Sequence, residues 1–366
     1  MVPPEKRLPA RRLLSQRIAS SAPSTPAQLV AHLLAVQAQA PNAARWAVGL
    51  RTGTSEAQVQ QALAEGAVLR THAMRATWQL VCPADLRWIV ALVAPRLLAL
   101  AKRRFEELAL PPRTLLRCWG VLEKALDESG ELTRQEISER LARARLPATG
   151  TALAYVLVFA ELDQRICSGA DRGKQATYAL LDRRAPGLRP PLPRDEALAL
   201  LALRYFQSRG PATVADLAWW AGLTAADARA GLAGVRRQLV STTVGGTEYW
   251  QDPESAEVDS LGDARAFLLP AFDEYLIAYQ NRDAVLDPAY VKRVNAGGGL
   301  LSPCVVVAGR VVGLWRSELA RGQACIRVDP FVPFSAKDRR AVELAAKRFG
   351  TFLGADVLTT FSARHA

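Results

Sequence analysis

Cysteine, histidine and methionine are scarce in this chain of 366 residues, with five, three and two copies. The cysteines (Cys82, Cys118, Cys167, Cys304, Cys325) are odd in number and widely spaced, and none forms a C-x-x-C. That argues against a disulfide framework and against structural zinc. The histidines (His32, His72, His365) are too scattered for a metal cluster, so neither a metal nor a cofactor is expected. No apolar run approaches the ~18–20 residues of a membrane span. The first residues, Met1-Val2-Pro3-Pro4-Glu5-Lys6-Arg7, contain no signal-type apolar segment. A soluble, cytoplasmic protein is the expectation. Phosphate-loop chemistry is excluded by the lack of G-x-x-x-x-G-K-[ST], since the glycines at 297–299 precede no basic residue and helix. No G-x-S-x-G nucleophile elbow occurs either.

Acidic residues are also in short supply. Asp and Glu number 35 against 47 Lys and Arg, for a net charge of +12. This balance favours polyanions, and arginine grips phosphate with paired hydrogen bonds. Charge alone leaves nucleic-acid binding and a solvated basic surface about equally supported.

What is present is hydrophobic, at 50% of residues, and ordered in a recurring way. After a basic amphipathic helix over 8–19, Ser24 or Thr25 caps a helix with Pro26 in its first turn. Pro41 disfavours helical geometry at Ala40, so this helix is predicted to end near Gln37–Gln39. Asn42 then caps a helix over 43–50, Ser55 a third that ends at Gly66, and strands follow at 68–71 and 77–81. The same order returns at 115–181, where Thr133 and Glu136 form a capping box. It returns again at 195–251, after a proline-rich linker at 186–193. Residues 84–107 form a longer helix, and the segment from Val258 reads as a mixed domain with strands at 303–307, 310–315 and 326–328 and a helix at 336–349. The expected fold class is α+β, mainly helical. Three tandem winged helix-turn-helix units (1–110, 111–186 and 194–255) precede a mixed α/β C-terminal domain (256–366) that carries a hairpin at 305–315.

A winged helix usually reads DNA with its third helix. In the second unit that helix (149–161) is almost wholly apolar and has no Arg, Lys, Asn or Gln for base edges. Arg229, Arg236, Arg237 and Gln238 of the third unit suit phosphates better. The array is expected to hold DNA by its backbone, which weakens a non-enzymatic winged-helix transcriptional regulator, the alternative reading. Asp273-Glu274 is a candidate carboxylate site, with structural hydrogen bonding at least as well supported.

The sharpest local feature is Gln37-Ala38-Gln39, where an apolar helix runs into two amides and then Pro41. On spacing alone the pair either caps frayed carbonyls or does chemistry. The motif stands with 69–78 (LRTHAMRATW), 268–275 (LLPAFDEY) and 307–316 (VAGRVVGLWR). Together these segments resemble the tandem winged-helix DNA glycosylases of the AlkZ and YcaQ type over nearly the whole chain. The first glutamine and the glutamine, rather than aspartate, at the second motif position match the AlkZ branch. The resemblance implies a monofunctional glycosylase that removes bulky N7-alkylated purines from double-stranded DNA and unhooks interstrand crosslinks. A role in self-resistance to a genotoxin of azinomycin type follows from it as well. Gln37 and Gln39 are then the catalytic pair. Arg45, Arg75, Arg310 and Arg316 are candidate DNA contacts along an open basic channel, and a monomer is expected.

Two amides suit such a reaction only because the substrate is primed. Glutamine cannot take a proton at neutral pH, and most glycosidic hydrolysis calls for a carboxylate. An N7-alkylated purine is already cationic and leaves as a neutral base. The protein then needs to hold a water near C1′ and set carbonyl dipoles against developing positive charge. Geometry adds a condition, because residues i and i+2 lie about 200° apart on a helix. The two amides converge only if the helix is ending there.

Overall fold

The computed structural model describes residues 4–19, 24–187, 192–257, 265–297, 299–320 and 322–362. Six features of the sequence reading fall wholly or partly outside them: the first three residues, most of the turn cluster before Pro26, the middle of the proline-rich linker, the start of the segment at Val258, Gly298 and His365. The chain divides into two compact units, one made of residues 1–59 and 198–366 and the other of residues 60–197. The two boundaries fall inside the helices Glu56–Ala64 and Arg194–Arg209. No described helix is long and apolar enough to cross a membrane.

The predicted order of elements recurs three times along the chain. The first run is Pro26–Leu33, Pro41–Thr52 and Glu56–Ala64, then antiparallel strands Leu69–His72 and Trp78–Val81. The second is Pro112–Ser129, Arg134–Arg143 and Gly150–Leu162, closed by strands Ile166–Ser168 and Thr177–Leu180, which Glu131–Thr133 joins in a three-stranded sheet. The third is Arg194–Arg209, Val214–Ala221 and Ala225–Val235 with strands Val240–Val244 and Thr247–Gln251. Local chemistry explains the starts. Thr25, Thr133 and Thr213 each accept the N3 amide, while the N3 side chain returns the bond to the cap. Between the first two runs, Pro83–Glu107 is one helix of 25 residues. The basic helix at the start is Pro4–Ser15, earlier than its apolar spacing predicts.

In the unit 60–197, the apolar helix Gly150–Leu162 is core as its composition predicts. Leu153, Val156, Leu157 and Ala160 pack with Phe105, Trp119, Leu122, Ile137 and Tyr178. In the other unit, a five-stranded sheet runs Asp356–Phe361, Gln323–Pro330, Arg310–Ala320, Cys304–Val307, Ala266–Leu269. Its pairs are antiparallel except the first, where Gln323–Pro330 and Asp356–Phe361 run parallel across the helix Ala336–Leu353. The sequence reading missed that last strand; its residues alternate only between exposed and half-buried, leaving little pattern to detect.

This sheet fixes the helix Pro41–Thr52, which follows the glutamine motif. Trp46 donates its indole N–H to Leu268 O at 2.7 Å and packs edge-on to Phe349. Gly49 allows the closest approach, because a Cβ there would lie 2.3 Å from the Phe352 ring. The sequence reading placed Asn42 as this helix's cap. In the structure Ala40 is the N-cap, Pro41 holds the first helical position, and no side chain caps the end. A proline at N1 has no N–H to satisfy, so the missing cap costs one bond fewer.

Candidate active site

The helix Pro26–Leu33 ends earlier than Pro41 alone predicts. Leu34 turns to φ 64°, the Ala35 amide bonds back to Leu33 O at 2.7 Å, and Val36–Gln37 is extended strand. Gln37 and Gln39 therefore do not sit on a helix end, which corrects the sequence reading. The physical reason is tertiary: the backbone groups that would extend the helix bond to distant side chains instead. Gln37 closes this strand and Gln39 follows in a bend, so the 200° opposition that a helix imposes does not apply to the pair. Gln37 is buried, Ala38 fully so, and Gln39 is exposed.

Beneath the motif lies a buried polar network. Arg209, fully buried, donates from Nη1 to Leu33 O at 2.6 Å and from Nη2 to Ala35 O at 2.8 Å. It also donates to Glu274 Oε2 from Nε at 3.0 Å and from Nη2 at 2.7 Å. The second oxygen of Glu274 accepts the Gln37 amide at 3.0 Å. The Trp220 indole donates to Oε2 at 2.9 Å and lays its ring 4.1 Å from the Arg209 guanidinium. Next to this pair, Arg51 and Asp273 form a two-pronged ion pair with both contacts at 2.8 Å and both side chains fully buried. Arg51 also donates to Gln16 O and Oε1. Gln16 in turn donates to the Tyr279 hydroxyl, and that hydroxyl donates to Arg209 O at 2.7 Å.

Asp273-Glu274 is thus structural. Both carboxylates are sealed from solvent and matched to guanidinium groups, so neither meets a substrate water. Burial holds the neighbouring phenols neutral, pushing Tyr279 up to about 12 and Tyr205 and Tyr275 well above the ordinary range. His32, on the helix before the motif, is pushed down to about 4 by burial, with Arg17, Arg209 and Arg204 adding to the shift. It is neutral at pH 7 and donates Nε2–H to Ser15 O at 2.7 Å.

The candidate DNA contacts differ in their settings. Arg45 is half-buried, with Nε 3.1 Å from Glu56 and Nη2 2.6 Å from Asn42. Arg310 is exposed and reaches Ala284 O at 3.3 Å. Arg316 is exposed further along the same strand and faces Arg327, also exposed, directly across the pairing. Arg75 belongs to the other unit, where it turns between strands Leu69–His72 and Trp78–Val81 at φ 56°. The turn of the hairpin predicted at 305–315 is pinned rather than free. Tyr275 donates to Gly309 O at 2.7 Å, and a Cβ on Gly309 would meet Pro9 at 2.6 Å. The freely exposed part of that strand runs from Arg316 to Ala320.

Arg209, Trp220 and Arg327 went unnoticed in the sequence. Glu274 lies within a segment quoted for the resemblance, but Arg209 carries no local signal at all. It sits at the end of an ordinary helix, 176 positions from the carbonyl it holds.

The chain as a whole is similar to known proteins. The model of the AlkZ-like family, described as DNA glycosylase AlkZ-like, matches residues 30–352. An interstrand DNA cross-link repair glycosylase of Streptomyces sahachiroi is 28% identical over 364 residues, covering 92% of this chain and 93% of that one. The solved structure of Streptomyces sahachiroi DNA glycosylase AlkZ superposes with a TM-score of 0.82 at 25% identity, covering 99% of this chain and 100% of that one. The family match takes in the glutamine motif, the Arg209–Glu274 pair and most of the sheet, and the chain belongs to the AlkZ-like DNA glycosylases.

Proposed function

We propose that this chain is a monofunctional glycosylase that hydrolyses the N-glycosidic bond of bulky N7-alkylated purines in double-stranded DNA, with Gln37 and Gln39 as the catalytic pair. The observation that carries the proposal is that the chain leaves the helix at Leu34, before the motif, and is anchored through the Gln37 backbone N–H to Glu274, which frees the two amides from helical geometry. Water attacks C1′ as the C1′–N9 bond breaks. The bonding electrons return to the purine and cancel its positive charge, so the base leaves neutral without an acid. The water's proton passes to solvent, since an amide cannot hold it. The glutamine carbonyls orient the water and face the developing positive charge on the sugar. Each well-placed dipole of this kind is worth about 10²–10³ in rate.

The same chemistry releases one arm of an interstrand crosslink, because each arm is itself an N7-alkylated purine. Unhooking of crosslinks, and with it self-resistance to a genotoxin of azinomycin type, is the biological role we infer. The crosslink named in the description of the Streptomyces sahachiroi relative supports this reading. We infer that the protein works as a monomer in the cytoplasm, on DNA held through Arg45, Arg75, Arg310 and Arg316. Arg327 joins this set, since like charges directly opposite across a sheet repel unless an anion lies between them, and a phosphate is such an anion.

Duplex carrying N7-alkylguanine tests the proposal. Release of free base with an alkali-labile abasic site is expected, and Gln37→Ala or Gln39→Ala should lose about 10²–10³ in single-turnover rate with binding nearly unchanged. Binding without release would instead support a regulator, and normal excision by either variant would show the active site to be misplaced. Arg316→Ala with Arg327→Ala should flatten the logarithmic salt dependence of binding by up to about 2. An unchanged slope would remove both arginines from the interface.

A further inference from the structure

An α-helix continued past Leu33 would bond the Gln37 amide to Leu33 O and the Gln39 amide to Ala35 O. In this protein both carbonyls are held by Arg209, and the Gln37 amide by Glu274. One ion pair therefore takes three of the four groups in two helical hydrogen bonds that start two residues apart. Arg209 spends its remaining donors on Glu274 and Ser208 Oγ. Trp220 donates to the oxygen of Glu274 that Arg209 already holds, which leaves Oε1 turned toward Gln37.

The cost of the arrangement points to its purpose. Two charges buried this deeply lose much of their hydration, and an apolar pair of similar volume commonly serves stability as well or better. An apolar pair would fill the space but would hold no backbone group. We propose that Arg209 and Glu274, with Trp220, are positioning residues: they convert a helix end into the non-helical segment, strand at Gln37 and bend at Gln39, from which the two glutamines act. The inference rests on the catalytic reading of those glutamines. The pair touches no substrate; it acts through the motif backbone, where a displacement of about 1 Å is enough to cost ~10²-fold in rate.

The test uses the full chain and duplex carrying N7-alkylguanine. In the double variant Arg209→Met/Glu274→Leu the buried charges leave together and the volume is kept. It should fold and bind duplex within about threefold of wild type, yet excise about 10–100-fold more slowly at saturation. Arg209→Met/Glu274→Gln restores an acceptor for the Gln37 amide and should recover much of that loss. A merely structural pair predicts a change in melting temperature, no change in saturated rate and no such rescue. A folded Arg209→Met/Glu274→Leu variant that excises at the wild-type rate overturns the positioning role and leaves the catalytic reading standing. Wild-type excision by Gln37→Ala fells the catalytic reading itself, and this proposal with it. Should the double variant not fold, hydrogen exchange of the wild-type Gln37 amide decides. Protection equal to core amides supports the pair's grip, and exchange at the rate of an exposed loop refutes it.

Discussion

Each of the two compact units buries an acid against a base, and the two pairs are finished very differently. Glu274 lies against Arg209, with bonds accounted for on both its oxygens. In the unit 60–197, Glu161 is fully buried against His72 Nδ1, and its other oxygen has no hydrogen-bond partner among the described residues. Thr71 Oγ1 and Gln79 Oε1, also buried, lack partners too. Arg70 lies close enough to act on Glu161 electrostatically, stacks 3.7 Å over Trp78, and has its own pKa lowered by burial. Burial pushes Glu161 upward, with His72 and Arg70 offsetting part of the rise. A fully bonded pair can carry a load of backbone bonds; in a half-matched one burial pushes the acid toward its neutral form. The glutamine motif depends on the first kind.

The largest way to break this comparison is Glu274→Ala. It strands the Arg209 guanidinium in the core, and a loss of about 3–5 kcal/mol is expected, read by urea or thermal unfolding. A loss below about 1 kcal/mol would mean that the Arg209 charge finds water or another partner.

Acid should act on the two units with opposite sign. The folded-state pKa of His32 is about 4, against 6.5 when unfolded. Between those values the unfolded chain binds more protons, so stability present above pH 6.5 falls as the pH drops. The loss approaches about 3 kcal/mol by pH 4, and His32→Gln should remove much of it. Stability that does not fall over this window in wild type would refute the burial of a neutral His32.

Glu161 has the reverse linkage. Its raised folded pKa means the folded protein binds more protons above the ordinary carboxylate value of 4.5. Its contribution is therefore present at low pH and is lost as the pH rises through that window. Glu161→Gln is expected to be the mildest of the three, within about 1 kcal/mol of wild type near neutrality, and to flatten this part of the profile. Hydrogen exchange followed separately in the two units across pH 7 to 5 sharpens the contrast, since only the unit with His32 should loosen. A large loss on Glu161→Gln would show that the carboxylate keeps its charge.

Much of the fold was legible residue by residue. Thr25, Thr133 and Thr213 announce helix starts because a capping hydroxyl and its N3 partner are local chemistry. The apolar face of Gly150–Leu162 announces core for the same reason. The two glutamines were visible as a pair, and the family resemblance singled them out. Their backbone conformation was not, because Pro41 marks where a helix must stop and says nothing of where it stops first. Nor did spacing separate a structural Asp273-Glu274 from a catalytic one; two guanidinium groups from other parts of the chain settle that.

The sequence by itself determined the capped helices, the recurring order of elements, the basic excess and the presence of two amides one residue apart. All of these rest on interactions a few residues long or on composition. Tertiary structure alone decided that those amides lie beyond the helix, Gln37 on a short strand and Gln39 in the bend after it. Leu33 O and the Gln37 amide would bond each other by default. They part because better partners arrive from 176 and 237 positions away, and only folding brings an arginine and a glutamate over that distance.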